Sequence, residues 1–167
     1  MIKIVTGLLA ALFFIGCSSQ ESTQVDVTPK LVVGKSLQDL KLNDQNETSK
    51  SIEPTTTKLI FAFSKDMGHQ CNDFFATKDA SYLKDHQAQF VADVSGAPSL
   101  IRSMFILPGL KDFKHPIMII VDENISASFK SGVESEKIIV AELDNKTITG
   151  IKSFNSVTEL DNYLNGK

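Results

Sequence analysis

Cys71 is the residue best placed for chemistry, because it ends the polar turn Lys65-Asp-Met-Gly-His-Gln-Cys71 that follows the apolar run Leu59 to Phe63. The run reads as a strand buried on both faces, and Phe74 and Phe75 after the turn suit a helix. A cysteine at the head of such a helix meets unpaired amide N–H groups and the positive end of the helix dipole. Both favour thiolate over thiol. Cys71 is therefore the candidate nucleophile. Lys65, in the same turn, is its candidate charge partner. A metal reading competes: Met67, His69 and Cys71 alternate, and their thioether, imidazole and thiolate suit Cu(I). The three share one side only if the turn is extended. No other cofactor is expected. Arg102, the single arginine, is read either as a fork for a carboxylate or as a solvated helix charge. His86 and His115 are expected to be exposed or locally satisfied, without a role.

The bulk numbers narrow the classes. The chain has 167 residues, 42% of them hydrophobic, with 17 basic and 20 acidic side chains and a net charge of −3. That is enough for one domain with a real core, and nothing in it favours nucleic acid. Asp44-Gln-Asn-Glu-Thr48 and Asp122-Glu-Asn-Ile-Ser126 match an extended bacterial N-glycosylation sequon. Asn46 and Asn124 are thus modification candidates in expected surface turns, although Asp and Asn favour turns anyway.

The N-terminus reads as an address. Lys3 precedes an apolar stretch, Ile4 to Ile15, too short for a comfortable membrane span, which ends at Gly16-Cys17 before the polar Ser18. This resembles a bacterial lipoprotein lipobox, with Phe14 where that family prefers leucine. The resemblance implies a signal peptide over 1–16 and an acylated Cys17 anchoring the chain to a membrane. A polar tether over 17–29 would then carry a periplasm-facing domain. Ser18 after the cysteine favours the outer membrane by analogy.

The elements that must position Cys71 follow in order. Leu37, Leu40 and Leu42, broken by a turn at Asn43 to Asn46, predict a strand pair. Phe90 to Val94 and Ile117 to Val121 read as further buried strands. Between them Leu100, Ile101, Met104, Phe105 and Leu107 mark one face of a helix that Pro108-Gly109 should stop. Ile138 to Leu143 and Thr147 to Ile151 form an expected hairpin, and Ser156-Val-Thr-Glu159 opens a last helix with a capping box. Alternating helices and strands give an α/β sandwich over 30–167.

Val33-Gly-Lys-Ser-Leu37, the Lys65 to Cys71 turn and Pro116-Ile-Met-Ile-Ile-Val-Asp-Glu-Asn124 fall in an order that resembles the thioredoxin-like superfamily. Its branch with peroxiredoxins and tethered lipoproteins is the nearest in pattern. Ala97-Pro-Ser-Leu-Ile-Arg-Ser-Met104 is also similar to YtfJ-type periplasmic proteins. The resemblance implies a thioredoxin-like fold: a central mixed sheet flanked by helices, with an N-terminal strand or hairpin extension. It implies little activity. Gly68 stands where a C-x-x-C motif has its first cysteine, and Cys17 is committed to lipid, so dithiol exchange is excluded by counting. In the peroxiredoxin pattern Ser64 replaces the proline and Gly68 the threonine, and no arginine stands near Lys137. Losing one preorganised donor typically costs about 10² to 10³ in rate. The expected function is a membrane-anchored binding or scaffold domain with an unidentified periplasmic protein partner. The alternative is a one-cysteine thiol peroxidase or reductase acting through Cys71 with an external thiol reductant.

Overall fold

The computed structural model describes residues 27–167. Cys17, the signal-peptide reading and most of the tether reading lie outside the described residues. Among the described residues, no helix is long and apolar enough to cross a membrane.

Seven strands form one mixed sheet in the order β2-β1-β5-β4-β3-β6-β7. β1 (Lys41–Asp44) and β2 (Ser49–Ser51) make the N-terminal hairpin, turned by the Asp44 carboxylate, which accepts from the N–H groups of Asn46 and Thr48. β3 (Lys58–Ala62), β4 (Ala88–Asp93) and β5 (Ile117–Ile120) run parallel at the centre. β6 (Ile138–Asp144) lies antiparallel to β3, and β7 (Thr147–Phe154) completes a hairpin. Asn145 and Lys146 both take positive φ there, the pairing a tight hairpin turn demands. This is the mixed sheet with helical layers and hairpin extension that the pattern predicts.

The period of two along β3 explains the layers. Leu59 and Phe61 join one core with Phe129 of α5 (Glu123–Lys130), while Ile60 and Ala62 join the other. That second core holds Cys71 and Phe75 of α1 (Lys65–Ala76) and Leu160 of the last helix, α6 (Val157–Leu164). A one-turn helix, α2 (Tyr82–Asp85), leads into β4.

Three expectations are corrected. Cys71 does not head its helix: Ser64 caps α1, its hydroxyl accepting from the Met67 N–H, so the whole Lys65 to Cys71 turn is helical. Ser64 is an N-cap type, and with no proline in the turn nothing delays the helix to Cys71. Second, Pro108-Gly109 does not stop its helix. The arm runs through α3 (Ser99–Ile101), a π-helical turn (Arg102–Ile106) and α4 (Leu107–Leu110). The Leu107 N–H reaches back to the Arg102 carbonyl, a register that lets Pro108, which has no N–H to place, enter without breaking the helix. Its apolar face is not core either, since Leu100, Met104 and Phe105 are exposed. Third, Asn124 sits in the first turn of α5 rather than in a loop, and Ser126 of that sequon is buried. The Ser126 hydroxyl donates to Asp93.

Candidate functional site

The structure separates the sequence-derived site residues. Cys71 is fully buried, and burial alone pushes its thiol up to about 12. The helix-terminus argument fails because the sulfur lies in the second turn, facing the sheet. Lys65 opens α1 and is exposed. Six residues of helix put Lys65 about 120° around the axis from Cys71. It cannot serve as the charge partner in this arrangement. Lys137 is taken by Glu134 at 2.6 Å. Nor do Met67, His69 and Cys71 make a donor set: Met67 and Cys71 point to the core at i and i+4, and helical spacing turns His69 out. Neither Arg102 reading holds. Its guanidinium donates to the carbonyls of Val94, Ser95 and Ala97 at 3.4, 3.1 and 3.2 Å, tying the helical arm to the end of β4.

What the fold does bring together is a cavity of about 740 Å³ at the C-terminal ends of β3 and β4. Cys71 does not line it. One wall is α1, through Lys65, Gly68, His69 and Asn72, a stripe at i, i+3, i+4 and i+7 covering about 10 Å of helix. The facing wall is the arm and the segment after it, through Ile101, Phe105, Ile106, Leu110 and Phe113. Asp93 and Lys130 close one side as an ion pair at 2.6 Å. Burial pushes the Asp93 carboxyl up, but hydrogen bonds from Lys130, Ser126 and Ser95 outweigh it and hold the group below its usual range.

Behind the wall sits a polar pair that sequence reasoning missed. His115 is buried among Phe75, Phe90 and Phe113, and burial lowers its pKa to about 4, so the ring is neutral. Its Nε2 lies 3.1 Å from the Asn72 Oδ1, which can only accept, so Nε2–H is the donor. Its Nδ1 has no partner, an orphan lone pair rather than an orphan N–H. Asn72, itself only 6% exposed, thereby has its amide oxygen occupied, leaving its NH₂ for the cavity it lines. The signal for this pair was absent from local sequence, since 43 residues separate the two.

No protein-family model matches the chain, and no curated protein does. Solved structures match at low identity. Peroxidoxin BcpB from Mycobacterium tuberculosis is 17% identical with a TM-score of 0.51, over 80% of this chain and 94% of that one. A cysteine-to-serine mutant of Xylella fastidiosa PrxQ is 12% identical with a TM-score of 0.54, over 81% and 94%. A putative protein disulfide isomerase from Bacteroides thetaiotaomicron is 9% identical with a TM-score of 0.50, over 84% and 90%. The chain has the thioredoxin-like fold of these proteins.

Proposed function

We propose that this chain is a thioredoxin-fold domain that works by binding a small ligand in the cavity between α1 and the helical arm. One observation carries the reading: the cavity is open and largely apolar with a few polar groups, while Cys71, the one thiol among the described residues, is sealed in the core. Such a cavity, in the common size range for small-molecule sites, serves recognition without redox chemistry. The lipid anchor at Cys17 would keep this site near a membrane.

The likeness to peroxiredoxin Q structures favours a second reading, thiol peroxidase, over a scaffold role. Here the Cys71 thiolate attacks a peroxide oxygen, the O–O bond breaks, and the alkoxide or hydroxide leaves with a proton. The sulfenic acid is then reduced by two equivalents of an external thiol. This requires the first turns of α1 to open so that the sulfur can reach the cavity.

Two assays separate the readings. The neutral apolar dye Nile red should bind the native chain at one site, and Ala97→Trp, which fills the cavity, should abolish that binding. Native Cys71 should resist alkylation at pH 8, and the chain should not speed peroxide consumption above the rate with dithiothreitol alone. Cys71-dependent peroxide turnover would establish the peroxidase instead, and Nile red binding unaffected by Ala97→Trp would remove the cavity from consideration.

A further inference from the structure

The chemistry of the cavity wall names the class of ligand, given that the cavity is a binding site. Its lining contains two ammonium side chains, Lys65 and Lys130, and one carboxylate, Asp93. That carboxylate is spent: its side chain is 1% exposed, and its oxygens accept from Lys130 at 2.6 Å, Ser126 Oγ at 2.6 Å and the Ser95 N–H at 2.9 Å. Lys130 remains 33% exposed, with further N–H donors beyond the one that Asp93 takes. Lys65 forms no ion pair among the described residues. The site is therefore net positive on a chain whose overall charge is −3.

The opposite wall offers nothing polar. Ile101 and Phe105 stand 43% and 64% exposed at the edge of the cavity, an apolar surface that water leaves readily for a matching ligand. Along α1, about 10 Å separates the Lys65 end from Asn72, whose NH₂ remains free of the protein partner that holds its oxygen. A bare inorganic anion would leave the apolar wall unused. A cationic ligand would meet no open carboxylate. Resting on the cavity reading, we infer that the ligand is an elongated amphipathic carboxylate of the medium-chain fatty-acid kind. Its acidic head lies at the Lys65–Lys130 end and its body lies along the arm.

Calorimetric titration of the full chain with decanoate and with its neutral twin 1-decanol tests this. Decanoate should bind about tenfold more tightly, and Lys65→Met should weaken decanoate about three- to fivefold, the effect of one partly exposed ion pair, while leaving 1-decanol unchanged. Because Lys65 is exposed at the first position of α1, the variant should fold. Equal binding of the two probes overturns the acidic-head assignment and leaves the cavity reading standing. A preference for decanoate that Lys65→Met does not touch overturns the placement of the head. Failure of both probes to bind overturns the inference and, with it, the cavity as an apolar-ligand site.

Discussion

At the scale of single residues, environment outweighs identity. A thiol in α1 and an imidazole just behind it have their chemistry set by burial, whereas the hydrogen bonds to the Asp93 carboxylate outweigh its burial. Cys71 is held as a neutral thiol because the core offers the thiolate neither water nor a cation. His115 is held neutral in the same way, which has a consequence for stability. Its folded pKa is about 4 against 6.5 in the unfolded chain, so unfolding takes up a proton between those values. Stability is therefore full above pH 6.5 and falls as the pH drops toward 4, by about 2–3 kcal/mol from this group. In His115→Phe, urea midpoints should be lower at pH 7, since Asn72 loses its donor, at a cost of about 1–3 kcal/mol. They should also fall less between pH 6.5 and 4.5 than those of the parent chain. An equal fall in both proteins would show that other groups carry the acid sensitivity.

At the scale of elements, α1 and the arm decide what the site can do. α1 begins at Lys65 because Ser64 caps it, and this early start withdraws Cys71 from the helix terminus. Gly68 is the soft point of that first stretch. A Cβ there would meet nothing within 4 Å, so the backbone is free to accept a side chain without a clash. Gly68→Ala should stabilise the chain by about 0.5–1 kcal/mol through helix propensity, measured as a rise in the urea midpoint. It also tests the peroxidase reading, because any activity that depends on opening the first turns should slow. Equal peroxide rates in Gly68→Ala and the parent would mean that α1 does not have to open. The arm's position rests on the Arg102 guanidinium and its three carbonyl partners, and its π-helical turn sets Ile101 and Phe105 at the cavity.

At the scale of the whole molecule, a parallel three-strand centre places the C-terminal ends of β3 and β4 at the cavity. Open α/β sheets commonly bind ligands at that edge. The described chain also enters beside this region, where the Lys30 N–H donates to the Ser128 carbonyl on α5, two residues before Lys130. A lipid anchor at Cys17 would therefore tether the domain from the segment that packs on α5. Expression of Cys17→Ser in a bacterial host should abolish labelling by a clickable palmitate analogue and release the chain from the membrane fraction. Unchanged labelling would remove Cys17 as the modified residue.

The sequence by itself determined the architecture, because architecture depends on patterns that repeat locally. The two-sided apolar run at Leu59 to Phe63, the hairpin turn at Asn145-Lys146 and the Ser156 cap each declare their element within a few residues, and each stands where it was expected. The depth of Cys71 was not legible: a cap at Ser64 rather than at the end of the turn shifts the start of the helix by about 1.7 turns, and that shift reverses the thiol's electrostatics. Nor was the course of the arm, where tertiary anchoring by Arg102 and a π-helical register overrode the usual stop at Pro108. The Asn72–His115 pair and the cavity wall were decided by tertiary structure alone, because they exist only where segments 43 residues apart pack together.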